Sequence, residues 1–410
     1  MIAKSTHLDA THSCATVSFA GSGFGSILAT IGMLAPLIRM TPRIPRVIGL
    51  ACLTILHCAS ANEGTKGATA VTLTQKLGIR SSRTLVPEYT SAAWSKTSGL
   101  IAVSEAAAKS RYIVDPETGA QVEFTAELPG GDREDLMWSS TSPRLTIARG
   151  RSIETIAAQP TGSVSSVHKQ QTLDFHGVSA SLVEQSGHEF VVAFGATSSD
   201  PSRSTKSIQA TRLSDGKQHW TWRFPDDGAH YQFRNGSAIA IDKAILAVGW
   251  AVRYVDQRIA HQLWVVDSRT ALQRCVIQLG GDLQGNRDVS TVRPALTADG
   301  ALSAVATSSL PYVTLYRNST CSEERRLPLP EGPQPTYLTF SPDGRWLLGT
   351  APVSQGEDPG RIYMWDTRDW RLVYVTKQRR PYQGAFDPSS RRFVIATEFG
   401  VYIYHISTKD

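Results

Sequence analysis

Residues 340–350 read Phe340-Ser341-Pro342-Asp343-Gly344-Arg345-Trp346-Leu347-Leu348-Gly349-Thr350, which is an aromatic residue, a small polar turn and an apolar run. Residues 386–397 repeat this pattern, starting from a second phenylalanine. A unit of this kind can bury its faces only against neighbouring units. The stretch therefore predicts that the chain is built from a series of similar small sheets.

The pattern occurs seven times, and each copy has an apolar or aromatic anchor residue before its turn. The anchors are Trp94, Trp138, Val183, Ile241, Leu296, Phe340 and Phe386. They are spaced by 44, 45, 58, 55, 44 and 46 residues. A propeller blade of four strands needs roughly 40–50 residues. The two long intervals therefore predict insertions in the third and fourth units.

Each unit can be divided into four strands. Asp343 and Gly344 lie at a hairpin bend, where glycine adopts a positive φ at little cost. The apolar run after the bend is the second strand, residues 362–366 are a third strand, and residues 371–375 are a fourth. The sequence therefore predicts an all-β fold, a seven-bladed β-propeller.

The chain resembles the WD40 family of β-propellers. The likeness is carried by residues 338–344, Leu-Thr-Phe-Ser-Pro-Asp-Gly, and by Met364-Trp365-Asp366. It covers nearly all of residues 88–410 as architecture, but only one blade as motif. Residues 213–220 resemble instead a blade of the quinoprotein type, and no cofactor is predicted from that single copy.

The last unit offers only three strands, which end at residues 401–405. An incomplete blade would expose a sheet edge, which proteins avoid. Residues 71–77 alternate apolar and polar side chains, as a strand with one buried face does. We therefore expect this N-terminal strand to close the propeller beside Val401–Tyr404.

The N-terminal region has the features of an export signal. Residues 40–46 are short and basic, Val47–Leu56 is apolar, and Ala59-Ser60-Ala61 is a cleavage site of small residues. Residues 40–61 are predicted to be a signal peptide, which leaves residues 62–410 as a propeller that is periplasmic or extracellular. Residues 1–39 are either an artefact of the assigned start or a membrane segment, because Ser13–Ile38 carries no charge.

Charge and cysteine content narrow the range of partners. The whole chain has 42 Lys and Arg against 36 Asp and Glu; removing residues 1–61 takes away four and one, so the mature chain has 38 against 35, or +3. This balance predicts no nucleic-acid partner.

Two of the five cysteines, Cys275 and Cys321, remain after the removal of residues 1–61. They fall in the outer parts of neighbouring blades, and the sequence leaves open whether they pair or are separate thiols.

The usual catalytic motifs are absent from the sequence. There is no Cys-x-x-Cys, no Gly-x-Ser-x-Gly, and His188-Glu189 lacks the second histidine of a zincin helix. The sequence therefore predicts no catalytic residue, no metal ligand and no cofactor.

The loops that lead into each first strand gather on one side of a propeller, called here the loop face, and function is expected there. Charged residues and histidines are abundant in these loops. They are Glu88, Asp132, Arg133, Glu134, Asp135, Asp174, His176, Asp226, Asp227, His230, Asp282, Arg287, Asp288, Glu331, Arg379 and Arg380. His176 and His230 are the sharpest candidates for a polar ligand, since each comes just before a first strand.

Three insertions, residues 197–206, 250–258 and 352–361, are expected to project from the same face. The second of them combines tryptophan, tyrosine and two arginines, which are common at interface hot spots. A hairpin whose aromatic side chains pack on its own blade is the alternative. The predicted binding residues are Trp250, Arg253, Tyr254, Arg258, His176, His230, Asp227, Arg287 and Arg379.

Two functions fit these observations. The first is a monomeric, non-enzymatic scaffold that binds a protein or glycan through its loop face. The second is a propeller enzyme of the hydrolase or lactonase type, with a metal or polar ligand at the channel mouth. The fold alone does not choose between them, because propellers support both.

Overall fold

Every regular element in the described part of the chain is a β-strand. The computed structural model describes residues 69–77, 89–105, 110–125, 134–149, 152–158, 164–172, 176–185, 188–196, 206–225, 230–240, 246–255, 258–267, 270–279, 294–307, 310–352, 359–397 and 400–408. All of these fall within the unit Gly64–Asp410. The predicted signal peptide, residues 40–61, and the upstream residues 1–39 lie outside the described residues.

The strands form seven four-stranded antiparallel sheets, numbered I to VII along the chain. Sheet I contains β2 (Tyr89–Trp94), β3 (Ile101–Glu105), β4 (Ser110–Val114) and β5 (Gln121–Thr125). Sheet II contains β6 (Glu134–Trp138), β7 (Arg144–Arg149), β8 (Ser152–Ala158) and β9 (Val164–Thr172). Sheet III contains β10 (His176–Gln185), β11 (His188–Ala196), β12 (Lys206–Arg212) and β13 (Gln218–Arg223). Sheet IV contains β14 (His230–Ala240), β15 (Leu246–Val255), β16 (Arg258–Asp267) and β17 (Leu272–Gln278). Sheet V contains β18 (Ala295–Leu296), β19 (Leu302–Ala306), β20 (Tyr312–Arg317) and β21 (Ser322–Pro328). Sheet VI contains β22 (Tyr337–Phe340), β23 (Trp346–Ala351), β24 (Gly360–Asp366) and β25 (Arg371–Gln378). Sheet VII contains β26 (Pro381–Phe386), β27 (Arg392–Thr397), β28 (Gly400–Thr408) and β1 (Thr69–Leu77).

The first strands of the sheets contact one another in sequence. β2 contacts β6, β6 contacts β10, β10 contacts β14, β14 contacts β18, β18 contacts β22, β22 contacts β26, and β26 contacts β2. The predicted all-β propeller arrangement is confirmed. Apolar clusters fill the spaces between neighbouring sheets, as between sheets VI and VII, where Trp346, Met364, Phe393 and Tyr404 are buried together.

The turn between the first and second strands explains why a short sequence repeats so clearly. In sheet VI, Ser341 Oγ donates to Asp343 Oδ1 over 2.5 Å and accepts from the Trp346 amide over 2.9 Å, and Gly344 has a φ of +72°. A side chain at the first position of the turn pairs with one at the third in sheets I, II, V and VII as well. In sheet V, the hydrogen bond from Thr297 lowers the pKa of Asp299. In these five sheets, polar side chains of the turn therefore hydrogen-bond within the turn itself.

β1 lies beside β28 as the outermost strand of sheet VII. The pairing is antiparallel and runs from Thr69 opposite Thr408 to Leu77 opposite Val401. The predicted alternation of buried and exposed side chains along β1 is wrong at one point. A bulge between Leu73 and Gln75 shifts the register of β1 against β28. Leu77 is therefore buried, whereas the Leu73 side chain is 50% exposed.

A disulfide joins Cys275 of β17 to Cys321, which directly precedes β21. Their Cα atoms are 6.0 Å apart, so the outer parts of sheets IV and V come close together here, and of the two alternatives that the sequence left open the cysteines pair. Both cysteines are partly buried and pack against a cluster that includes Leu263, Ile277 and Val305. The bond thus links two neighbouring sheets across their apolar contact.

Replacing both cysteines by serine is expected to lower the free energy of unfolding by about 2–4 kcal/mol, because the unfolded chain regains the entropy of the closed loop. Denaturant melts of wild type and variant measure this difference. A reducing agent should destabilise the wild type and leave the variant unchanged. Two free thiols in the unfolded, unreduced protein would show that the bond is not formed.

No helical segment of the described residues has the length and apolar content needed to cross a lipid bilayer.

Candidate functional site

The loop face is the side of the propeller where the first strands begin. β10 begins at His176 and β14 begins at His230, so both predicted histidines stand at the starts of first strands. These two strands belong to neighbouring sheets and contact each other. The structure therefore places the two histidines on the same face of adjacent sheets III and IV.

The described residues of the predicted fourth-unit insertion, 250–255 and 258, lie in strands, so their backbone has the hairpin conformation that the sequence had left open as the alternative. Trp250, Arg253 and Tyr254 lie in β15, and Arg258 is the first residue of β16. The two strands pair continuously from Leu246 opposite Asp267 to Val255 opposite Arg258. Alternating apolar, aromatic and β-branched residues favour strand structure, so the extra residues lengthen a hairpin. β15 has 10 residues, whereas the equivalent β19 of sheet V has 5.

The register of this hairpin gathers four predicted binding residues at one end of sheet IV. Tyr254 is opposite His230 of β14 and opposite Ile259 of β16. Arg253 is its neighbour along β15, and Arg258 starts the returning strand. Trp250, opposite Leu263, stands four residues further from this end. We call this end of the hairpin, with His230, Arg253, Tyr254 and Arg258, the sheet IV tip.

The other predicted residues do not join the sheet IV tip within the described structure. Asp227 and Arg287 lie outside the described residues. Arg379 has an exposed side chain and lies between β25 and β26 of sheets VI and VII. The insertion at residues 197–206 is described only at Lys206, where β12 begins, and most of 352–361 also lies outside the description.

Two carboxylates predicted for the charged rim have structural roles instead. Glu134 is only 8% exposed, and its Oε2 accepts a hydrogen bond of 3.0 Å from Nε of Arg111, which is 1% exposed. Arg149 Nη1 lies 3.5 Å from Glu134 Oε1. Because Arg111 belongs to sheet I and Glu134 to sheet II, this ion pair joins two blades.

Asp135 makes a second link between blades. Its Oδ2 accepts a hydrogen bond of 2.9 Å from the backbone amide of Leu182, which connects β6 of sheet II with β10 of sheet III. Two carboxylates of the predicted charged rim, those of Glu134 and Asp135, therefore make contacts between sheets. The sequence did not distinguish these inward carboxylates from solvated ones, because their partners are distant along the chain.

Within the ranges that the structure describes, no group of three or more His, Cys, Asp or Glu side chains is placed to hold a metal ion. The backbone register places a histidine, a tyrosine and two arginines at the loop-face end of an extended hairpin. This arrangement suits recognition of a polar or charged partner, since aromatic and arginine residues are enriched where binding energy concentrates.

The fold places this chain among the β-propellers. Comparison with models of protein families finds none that matches the sequence. Comparison with curated proteins finds no match either.

One feature at the opposite end of the propeller was not predicted from the sequence. A polar cleft lies between sheets VI and VII, where the turns after β22 and β26 approach the end of β28. The signal for it was present in the two turns, Ser341-Pro342-Asp343-Gly344-Arg345 and Asp387-Pro388-Ser389-Ser390-Arg391, which both end in arginine.

Proposed function

We propose that the protein is an exported β-propeller scaffold that binds a protein or glycan partner through its loop face, with the sheet IV tip as the main contact. The observation that carries this proposal is the register of β14, β15 and β16, which gathers His230, Tyr254, Arg253 and Arg258 at one end of a lengthened hairpin. The propeller supports this role because it holds such a hairpin on a rigid frame.

Export to the periplasm or the cell exterior is part of the same proposal. It is supported by the basic, apolar and small-residue succession in residues 40–61. The disulfide between Cys275 and Cys321 agrees with it, since disulfides persist in oxidising compartments. N-terminal sequencing of the exported protein should find Asn62 as the first residue.

The finer architecture belongs to the proposal too. We take the seven sheets as the blades of one WD40-like ring, with β1 as the strand that closes it. The contacts between successive first strands and the pairing of β1 with β28 support this arrangement.

Replacing Arg253 and Tyr254 together by alanine is expected to weaken partner binding by about 2 kcal/mol or more, or roughly 30-fold, because truncated aromatic and arginine hot spots have effects of this size. The mature domain, residues 62–410, is immobilised and used to capture partners from an envelope extract. Bound proteins are identified by mass spectrometry, bound glycans by glycan analysis, and the melting temperature is recorded in parallel.

A matched control replaces Tyr312 and Arg326, a tyrosine and arginine pair on the outer strands of sheet V whose guanidinium carbon lies 4.8 Å from the ring centre. This control should capture partners as the wild type does. If the sheet IV variant melts lower but still captures its partner, the hairpin only packs on its own blade and the proposal is wrong.

The second candidate function is a metal-assisted hydrolase or lactonase. The observation that favours it is that His176 and His230 begin neighbouring first strands. Metal analysis of the purified domain would support it if a stoichiometric ion is retained, and replacement of both histidines by alanine should then remove that ion.

A further inference from the structure

The cleft between sheets VI and VII lies on the side away from the loop face. Its volume is about 600 Å³, which is in the range of small-molecule sites. Its lining is mostly polar and comes from two turns and the end of one strand. We call it the VI–VII cleft, and its lining residues are Asp343, Arg345, Trp346, Ser389, Ser390, Arg391, His405, Ile406, Ser407 and Thr408.

Hydrogen bonds hold the walls of the VI–VII cleft in place. The amide of Asp343, in the turn of sheet VI, donates to Ser390 Oγ in the turn of sheet VII over 3.2 Å. The amide of Ile406 donates to the carbonyl of Arg391 over 2.7 Å. The strand residues of the cleft are also paired with β1, with Thr408 opposite Thr69. The site is therefore formed before any ligand arrives, which reduces the cost of ordering on binding.

Two arginines of the VI–VII cleft, Arg345 and Arg391, have guanidinium N–H groups that make no hydrogen bond among the described residues. The Arg345 guanidinium stacks over the indole of Trp346, with its carbon 4.7 Å from the ring centre. Its Nε is buried and has no hydrogen-bond partner among the described residues. The Arg345 side chain as a whole is only half-buried and lines the cleft, so an anion there would meet its terminal N–H groups rather than Nε.

Arg391 is the second arginine of the cleft, and its neighbour Arg392 differs from it in having two carboxylate partners. Arg392 is engaged twice, by Glu117 at 2.6 Å and by Asp387 at 3.3 Å. Arg391 is exposed, and no ion pair or hydrogen bond of its guanidinium is found among the described residues. Hydroxyl groups of Ser389, Ser407 and Thr408 line the same cleft.

One carboxylate, that of Asp343, also lines the VI–VII cleft, and its Oδ1 is already occupied. It accepts hydrogen bonds from Ser341 Oγ over 2.5 Å and from the Arg345 amide over 3.0 Å. With two arginines against this one aspartate, the lining keeps a positive formal charge, although the buried carboxylate of Asp366, outside the lining, also attracts Arg345. An anion is therefore favoured over a cation.

We infer that the VI–VII cleft binds a tetrahedral oxyanion, the phosphate or sulfate group of a small ligand, between Arg345 and Arg391. Guanidinium groups match the geometry of such oxygens and can donate two hydrogen bonds each. The hydroxyls of Ser390, which accepts from the Asp343 amide, and of Thr408 supply further donors, whereas Ser389 already donates to Asp387. This site is independent of the proposed function, since it lies at the opposite ends of the strands from the sheet IV tip.

The test is calorimetric titration of the mature domain with sodium phosphate and, separately, sodium sulfate, in sodium chloride at constant ionic strength. Saturable binding is expected. Replacing Arg391 by glutamine should weaken it about tenfold or more, because a hydrogen bond to a charged group is lost. Arg345→Gln should weaken it as well, and Arg391→Lys should recover only part of the affinity. A preference for phosphate or for sulfate identifies the natural group.

Arg325→Gln is the matched control, since Arg325 is an exposed arginine on β21, away from the cleft. It should bind the anion as the wild type does. Unfolding of each variant without added anion shows whether its fold is intact. Heats no larger than those of sodium chloride, or equal affinity in Arg391→Gln and wild type, would overturn the inference. Loss of anion binding with partner capture intact would leave the proposed function untouched.

Discussion

A chain that lacks residues 62–77 is expected to lose most of its folding free energy, about 5–15 kcal/mol for a native protein, and to aggregate. Without β1, the edge of β28 loses its partner along the whole run from Val401 to Thr408. Apolar side chains such as Ile406 and Tyr404, which are 4% and 2% exposed, would also lose cover. Circular dichroism melts and size-exclusion chromatography measure the effect.

The matched control for this truncation removes residues 62–68 and leaves β1 entire. It should melt close to the intact domain. A synthetic peptide of residues 62–80 should restore stability to the shorter chain when added in excess, because binding to the folded form shifts the folding equilibrium. A truncated chain that stays monomeric and melts like the intact domain would show that β1 does not close the propeller.

Glu134→Gln is expected to lower the free energy of unfolding by about 3–5 kcal/mol, because it removes the carboxylate that pairs with the buried guanidinium of Arg111. Arg111 is 1% exposed, so water cannot replace the lost carboxylate. The glutamine side chain has nearly the same shape, so the change in packing is small. Urea unfolding of the mature domain measures the effect.

The control is Glu324→Gln, which breaks the pair of Arg317 and Glu324 on the outer strands of sheet V. The geometry is similar, with Arg317 Nε 2.9 Å from Glu324 Oε2, but the side chains are 46% and 35% exposed. Little change in stability is expected, since solvent screens exposed pairs. Equal effects of the two substitutions would mean that burial does not determine the strength of the Arg111–Glu134 pair.

The fold could be predicted largely because the decisive interactions are local. The turn at residues 341–346 is held by Ser341 and Asp343 side chains two to five residues from their partners. The apolar runs that follow are buried, as in β23, where all six residues from Trp346 to Ala351 are buried. Patterns confined to a few residues remain readable in the sequence, so an all-β propeller arrangement of repeated small sheets could be predicted.

The candidate site was predicted less well. The sequence suggested Trp250, Arg253, Tyr254 and Arg258 as binding residues, and the structure gathers three of these four at one end of sheet IV. The backbone of this insertion forms a lengthened hairpin, which is the conformation of the alternative that the sequence had left open. The sequence also suggested that Glu134 and Asp135 lie on a solvated rim. In the structure, each of these carboxylates accepts a hydrogen bond from a residue of a neighbouring sheet.

The sequence by itself determined the repeated turns, the apolar strands and the charge balance, each of which depends on residues close together in the chain. Only the tertiary structure decided the bulged register that sets Thr69 opposite Thr408, the ion pair between sheets I and II, the Cys275–Cys321 bond and the VI–VII cleft. The physical reason is that these contacts join residues from different sheets or opposite ends of the chain. Their free energy becomes available only after the sheets have assembled, and no local pattern records it.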